Sequence, residues 1–192
     1  INKGLENSAL NNNVGLFGKT ESGAVIKNFT IENADVQGSL YVGAVVGLGY
    51  TGKEVSNITV KGDIKIDGYW YIGGIGVNGY LQTISNCKVI GNDGSYIKGN
   101  GGSYVGGITG FRGEGGMVTE KCVVENVEIS GVDRIGGISG QLHYGNTISN
   151  SSVSEIVITS QKYLEIENLN KKLILNWQKD AKLHALFSDR RK

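Results

Sequence analysis

Apolar and polar residues alternate over short stretches of the chain, and glycine or asparagine bounds most of these stretches. Residues 26–31 place Ile26, Phe29 and Ile31 among polar residues, and residues 118–129 repeat the arrangement. Alternation with a period of two is typical of β-strands that bury one face, and stretches this short predict short strands. The hydrophobic pattern therefore predicts an all-β body.

A tetrad of glycine, an apolar residue, any residue and glycine recurs along this body. Its five copies are Gly15–Gly18, Ala44–Gly47, Gly74–Val77, Gly107–Gly110 and Gly137–Gly140. Successive copies begin about thirty residues apart, although Ala44 replaces the first glycine of one copy and Val77 the last glycine of another. A fixed period of this length is typical of repeat architectures.

A second marker, usually asparagine, follows each tetrad by about a dozen residues. Its positions are Asn28, Asn57, Asn86, Lys121 and Asn150. We interpret the marker as a coil corner, where inward-facing amides hydrogen-bond to one another and to the backbone of the turn. Three of these asparagines begin glycosylation acceptor sequences, but an inward orientation would exclude a glycan.

One such unit holds only a few short strands and cannot bury its own apolar side. Stacking the units on parallel ladders with a spacing of about 4.8 Å would bury it. Residues 1–160 are therefore predicted to form a right-handed parallel β-helix, a β-solenoid of about five coils. Like residues of successive coils should then form columns, including an interior aliphatic one: Ile31, Val60, Val89, Val124 and Val153.

The tetrads, followed by the Ile-x-Asn marker and a strand, resemble the GLUG-motif repeat of bacterial surface adhesins and immunoglobulin A peptidases. The resemblance covers about residues 12–160. It implies a non-catalytic, extracellular module, either secreted or at the bacterial cell surface, within a larger protein that has further domains. It implies no catalytic residue in this part of the chain.

Composition separates the body from residues 161–192. The whole chain has 31 Gly and no Pro, yet residues 161–192 contain no Gly, and basic residues outnumber acidic ones there. Ile166, Leu169, Leu173 and Trp177 follow helical spacing. These features predict an amphipathic α-helical tail that serves as a cap or a linker, or that is a foreign segment.

Charge and motifs narrow the function classes. The net charge is +1 and no basic patch marks the body, which argues against nucleic-acid binding. No apolar run is long enough to span a membrane. The Gly74-x-Gly76-x-x-Gly79 sequence matches a dinucleotide fingerprint but leads into a predicted strand, where a helix is required. We therefore expect no cofactor, and with two separated Cys and two His, no metal site.

Two cysteines, Cys87 and Cys122, fall in one column of adjacent coils. The same column holds Phe29 and Ile58, which marks it as an interior packing position. We predict that both are free, buried and unreactive thiols, because parallel neighbouring side chains are poorly oriented for a disulfide.

The carboxylates do not form a clear column. The best neighbouring pair is Asp93 and Glu128, each four residues beyond the aliphatic column. Some parallel β-helices are polysaccharide lyases or glycosidases, and their chemistry needs ionisable groups that converge from adjacent coils. A carbohydrate-active β-helix enzyme is therefore the alternative to a non-catalytic module.

The candidate binding residues form a column three residues before four of the tetrads. Its members are Tyr41, Tyr71, Tyr104 and Arg134, with Tyr69 and Trp70 beside it. Stacked rings under a guanidinium would stabilise the solenoid, and the same stripe could bind a host glycan or a matrix or surface protein. Two Gly-rich insertions, residues 91–103 and 111–116, are further candidate recognition loops.

Overall fold

A computed structural model describes residues 12–101, 104–113 and 115–160. Within them, every strand pairing is parallel and no helix is present. The all-β prediction is confirmed for this part of the chain. Residues 161–192, for which a helical tail is predicted, lie outside the described residues, as do residues 1–11.

The strands form four sheets, numbered here in the order in which the chain visits them. Sheet 1 contains Phe17–Thr20, Val46–Gly49, Gly76–Gly79, Thr109–Arg112 and Ser139–Leu142. Sheet 2 contains Val25–Glu32, Glu54–Gly62, Thr83–Ser85, Lys88–Gly91, Val118–Glu120, Val123–Glu125, Thr147–Ser149 and Ser152–Ser154. Sheet 3 contains Asp35–Gln37, Lys65–Gly68, Tyr96–Gly99, Glu128–Gly131 and Val157–Ser160. Sheet 4 contains Val42–Gly43, Ile72–Gly73, Val105–Gly106 and Ile135–Gly136.

Each strand pairs with the equivalent strand of the next repeat. In sheet 1, for example, Val46 pairs with Phe17 on one side and with Gly76 on the other. The chain is therefore a parallel β-solenoid of about five turns, as the repeat predicts. We call the turns coils 1 to 5 and count them from Asn13, Tyr41, Tyr71, Tyr104 and Arg134.

The interior is filled by the predicted columns. Pairing joins the five residues of the aliphatic column in register, and the three central members, Val60, Val89 and Val124, are fully buried. The apolar residue of the tetrad is likewise buried in coils 2 to 5, but Leu16 of coil 1 is 54% exposed. At this position, coil 1 therefore shields its apolar residue from solvent less well than coils 2 to 5 do.

The asparagine marker does form a corner, but its side chains do not face inward. Asn28, Asn57, Asn86 and Asn150 are all exposed, and they have left-handed φ angles of 66°, 52°, 51° and 50°. Asparagine is one of the few non-glycine residues that adopt this conformation readily. The inward orientation predicted from the sequence is therefore wrong, and burial does not exclude glycosylation. The amides do stack at one point, where Asn57 Nδ2 donates to Asn28 Oδ1 at 3.0 Å.

Each predicted insertion contributes residues to the strand ladder. Tyr96–Gly99, within the first insertion, is a strand of sheet 3, and Asn92–Ser95 is a tight turn in which the Ser95 N–H donates to the Asn92 carbonyl oxygen. In the second insertion, Phe111 and Arg112 lie in a strand of sheet 1. Ladder pairing therefore accounts for part of each insertion, and the remaining described residues form turns and connections.

Both cysteines are free and buried, as predicted. They lie in adjacent coils, where the Val123 N–H donates to the Cys87 carbonyl oxygen at 2.9 Å. The side-chain hydrogen bond to Cys122, together with burial, raises the pKa of the Cys87 thiol. The same hydrogen bond lowers the pKa of the Cys122 thiol. Both side chains are fully buried in the core, where they act as packing groups.

One cation lies inside the solenoid. Arg112 is fully buried, and its Nη2 donates to the carbonyl oxygens of Gln82 and Val118 at 3.2 and 3.3 Å. Its Nε and Nη1 have no hydrogen-bond partner among the described residues. Burial lowers the pKa of this guanidinium to about 10.

Candidate ligand-binding surface

The predicted aromatic column is a continuous stack of rings on the surface. The ring centroids of Tyr41 and Tyr71 are 4.9 Å apart with an interplanar angle of 8°, and those of Tyr71 and Tyr104 are 4.8 Å apart at 18°. Arg134 ends the stack, with its Cζ 4.7 Å from the centre of the Tyr104 ring. We call these four residues the tyrosine ladder.

The tetrad glycines bring the backbone of sheet 1 close to this ladder. A Cβ on Gly110 would lie 2.3 Å from the Tyr104 carbonyl oxygen and 2.5 Å from the Ile72 nitrogen. A Cβ on Gly140 would lie 2.6 Å from the Arg134 carbonyl oxygen. Glycine at these two positions allows the strands that follow Tyr104 and Arg134 to pack directly against the ladder backbone.

The ladder residues adopt a strained backbone conformation. Tyr41, Tyr71 and Arg134 have φ angles of 48°, 41° and 51°, in the left-handed region. Coil 1 has Asn13 at this position, which fits the region well. A bulky side chain there costs about 1–2 kcal/mol, and stacking of the rings offsets part of that cost. Strain that recurs at one surface position is typical of functional sites.

Tyr69 and Trp70 lie beside the ladder, as predicted. The centroid of the Trp70 ring is 6.2 Å from that of Tyr71 and 6.4 Å from that of Tyr104. The centroid of the Tyr69 ring is 6.3 Å from that of Trp70. Tyr69 rests on the backbone of the next coil, because a Cβ on Gly101 would lie 2.3 Å from its Cε1. The six predicted binding residues therefore form one cluster, and their role in binding stays a prediction.

Two further rings extend this cluster onto sheet 1. Phe111 lies 5.4 Å from Tyr71 and 5.7 Å from Tyr104, and the His143 ring lies 5.3 Å from Phe111. Sequence reasoning missed Phe111 because its column is not aromatic in the other coils, and it missed His143 because the column that His143 shares with Tyr50 and Tyr80 is broken by Gly113 in coil 4. Phe111, for instance, is aligned with Gln141 in coil 5. The pairing register, which the sequence alone does not provide, is the signal that would have found it.

The cluster carries little net charge. Arg134 forms an ion pair with Asp133, with 3.2 Å between Nη1 and Oδ2. Burial raises the pKa of the Tyr41 and Tyr71 hydroxyls, so both are neutral at physiological pH. Because the ladder rings cover one another's faces, the ladder presents ring edges and hydroxyl groups. Such a surface suits a neutral ligand that offers apolar contact and hydrogen bonds.

The candidate catalytic carboxylates do not share a column of the ladder. Glu128 pairs with Tyr96 of the preceding coil, whereas Asp93 lies at the corner, 3.5 Å from Asn126 Nδ2. A separate shallow pocket of about 330 Å³ is lined by Glu32, Asn33, Lys61, Gly62, Ile90 and Asn92. Its single carboxylate, Glu32, is 2.8 Å from Lys61 Nζ, and the hydrogen bond from Lys61 lowers its pKa. That arrangement does not suit a general acid.

Other chemistries find no support in the described part of the chain. No group of three or more His, Cys, Asp or Glu residues there could hold a metal ion. None of its elements is a helix of the length and apolarity that a membrane span requires. The dinucleotide-like glycines lie at strand Gly76–Gly79, and the next element is strand Thr83–Ser85 instead of the required helix.

Fold and surface together define a parallel β-solenoid with a half-buried aromatic cluster on its outside. No protein-family model, curated protein or solved structure matches the chain. The function therefore has to be argued from the surface itself.

Proposed function

We propose that this chain is a non-catalytic repeat module of a bacterial secreted or cell-surface protein, and that it binds a host glycan or a matrix or surface protein. The observation that carries the proposal is the tyrosine ladder with Trp70 and Phe111 beside it. Aromatic side chains of this kind are enriched at the energetic centres of binding surfaces. The resemblance of the tetrads to the GLUG repeat supports an adhesive role.

Backbone strain adds a second line of support. Asparagine or glycine would fit the left-handed ladder position at lower cost, and Asn13 does so in coil 1. Coils 2 and 3 nevertheless place a tyrosine in this conformation. Strained backbone at a partly exposed aromatic position supports a binding role, because such strain is often found where side chains serve a function.

An array of glycans and matrix proteins, probed with the full chain, tests the proposal. We expect saturable binding that is weakened by the double variant Tyr71→Asn and Tyr104→Asn, because both rings are removed, while asparagine suits the left-handed backbone of Tyr71. Tyr144→Ala is the matched control, since Tyr144 is 92% exposed and lies outside the cluster.

Product analysis of the same samples separates this proposal from a carbohydrate-active enzyme. Bound glycans should be recovered unchanged after prolonged incubation. Shorter or unsaturated products would show hydrolysis or lyase activity and would contradict a non-catalytic module.

A further inference from the structure

Two tyrosines of the ladder lie face to face in adjacent coils with nearly identical geometry. Tyr41 and Tyr71 have φ angles of 48° and 41°, and their ring centroids are 4.9 Å apart at an interplanar angle of 8°. Rings held by the same backbone conformation are copies of each other, shifted by one coil, so equivalent ring carbons lie about as far apart as the centroids. The Cε carbons next to the two hydroxyl groups are therefore stacked across the boundary between coils 2 and 3.

Stacked phenol rings are suited to one kind of covalent modification. A tyrosine that loses one electron and its hydroxyl proton becomes a neutral phenoxyl radical, and the unpaired electron is shared with the two Cε carbons. Two such radicals couple when the protein holds their Cε carbons close together. The product is dityrosine, in which a carbon–carbon bond joins the two rings.

We propose that Tyr41 and Tyr71 are an oxidative cross-linking site, where a dityrosine bond joins coils 2 and 3. Hydrogen peroxide, acting through a haem peroxidase, takes one electron and the hydroxyl proton from each ring. A bond then forms between one Cε of each ring, and the hydrogens on these two carbons move to the oxygens, which restores both phenols. The chain loses two hydrogen atoms and the peroxide is reduced to two water molecules. This site does not depend on the proposed binding function.

The next pair of the ladder is less suited to the reaction, although it is equally close. The centroids of Tyr71 and Tyr104 are 4.8 Å apart at 18°. Arg134 lies over the Tyr104 ring, with its Cζ 4.7 Å from the ring centre, and a cation there opposes the removal of an electron. Phe111 packs edge-on against Tyr104 at 5.7 Å and restricts its tilt. Tyr41 has no ring contact other than Tyr71 among the described residues, so it is freer to tilt toward its partner.

A third tyrosine, Tyr80, lies close enough to compete. Burial raises the pKa of the Tyr41 and Tyr71 hydroxyls, and the nearby Tyr80 hydroxyl raises both further. The Tyr80 ring packs against Gly113, however, where a Cβ would lie 2.6 Å from its Cε1. In the described part of the chain it stacks on neither ladder ring. Tyr80 is therefore the alternative partner that the experiment has to separate from the stacked pair.

The cross-link would staple the solenoid from the outside. Both cysteines of the chain are free, so no disulfide joins the coils. A bond between Tyr41 and Tyr71 closes a loop of one coil in the unfolded chain and lowers the entropy of that state, as a disulfide does. Because both rings are partly exposed, the bond can form without opening the core. The oxidised chain should therefore unfold at a higher denaturant concentration than the untreated chain.

The experiment is treatment of the dilute full chain with a haem peroxidase and hydrogen peroxide, followed by isolation of the monomer. We expect a monomer that shows dityrosine fluorescence, is lighter by two hydrogen atoms, and yields a cross-linked peptide joining Tyr41 to Tyr71 in tandem mass spectrometry. Tyr41→Phe and Tyr71→Phe keep the rings but cannot form the radical, so each should lose this product. Tyr80→Phe and Tyr104→Phe should retain it, as should the control Tyr144→Phe, because Tyr144 is 92% exposed and lies outside the cluster.

Three results would overturn the cross-linking site. The first is a monomer without dityrosine, and the second is a bond that maps to Tyr80 or Tyr104 instead of the Tyr41 and Tyr71 pair. The third is a linked monomer that unfolds at the same denaturant concentration as the untreated chain, which would refute the staple. The mapping uses the wild-type chain, so it decides the site even if a variant fails to fold. None of these results bears on the proposed function, because ligand binding is measured on the untreated chain.

Discussion

At the scale of single residues, the corners of the solenoid are set by left-handed backbone conformations. The same conformation recurs at the asparagine marker and at the tyrosine ladder, with φ angles between 41° and 66°. The left-handed conformation costs asparagine little free energy, whereas it costs tyrosine and arginine more. Backbone preference therefore explains the four asparagines of the marker, whereas Lys121 and the ladder residues hold this conformation at a cost.

Asn57 allows the backbone preference to be measured. Asn57→Gly and Asn57→Ala both lose the hydrogen bond to Asn28, so the difference between them isolates the cost of the left-handed conformation. We expect the alanine variant to be less stable than the glycine variant by about 1 kcal/mol. Denaturant unfolding would measure this, and equal stabilities would show that the corner relaxes.

Tyr96 should be the tyrosine that titrates last. Burial, together with a 2.9 Å hydrogen bond to Asp67 Oδ2, raises its pKa to about 12. Because the folded state holds this proton more tightly than the unfolded state, where the pKa is about 10, its contribution to stability is complete below about pH 10. That contribution is lost as the pH rises toward 12.

Near-ultraviolet absorbance followed through an alkaline titration checks this assignment. Tyr96→Phe should remove the most alkaline phase, and Asp67→Asn should shift that phase toward the ordinary value for tyrosine. A most alkaline phase that survives in Tyr96→Phe would mean that another tyrosine is responsible.

At the scale of elements, the tetrads set the close spacing of the coils. The first residues of the tetrads form a column in which the N–H of one coil donates to the carbonyl oxygen of the next, as Gly74 does to Gly107 at 3.1 Å. Coil 2 has Ala44 in this column, so an alanine is tolerated there and provides an internal comparison.

Gly107→Ala tests how strictly the inner coils need glycine. A Cβ there would lie 2.2 Å from the Gly137 carbonyl oxygen and 2.7 Å from both Val124 methyl carbons. Because backbone cannot move aside as a side chain can, we expect a loss of about 3 kcal/mol or more in the free energy of unfolding. Ala44→Gly is the control and should cost no more than about 1 kcal/mol. A Gly107→Ala variant as stable as the wild type would mean that the coils are spaced more widely.

The sequence predicts elements well where a column repeats and poorly where it does not. The aliphatic column and the tyrosine ladder repeat in successive coils, so their register follows from alignment of the tetrads. Phe111 is the only aromatic residue of its column, so periodicity does not identify it. The sequence predicts the position of the asparagine column correctly but the direction of its side chains wrongly. The left-handed backbone conformation, and not hydrogen bonding of the amides, sets that direction.

At the scale of the whole molecule, a closely packed interior supports an aromatic exterior. Columns of Val and Ile fill the solenoid, and tetrad glycines hold sheet 1 near the ladder. The period predicts this architecture directly, since one coil cannot bury its own apolar face.

The central claim is that the aromatic cluster binds a ligand, and one affinity comparison tests it most directly. The ligand found on the array should be titrated by calorimetry into the wild-type chain and into the Tyr71→Asn, Tyr104→Asn double variant. A loss of about 1–3 kcal/mol in binding free energy, with the fold retained by circular dichroism, is the predicted result. Unchanged affinity together with lower stability would contradict the claim and would leave the tyrosine ladder as scaffold alone.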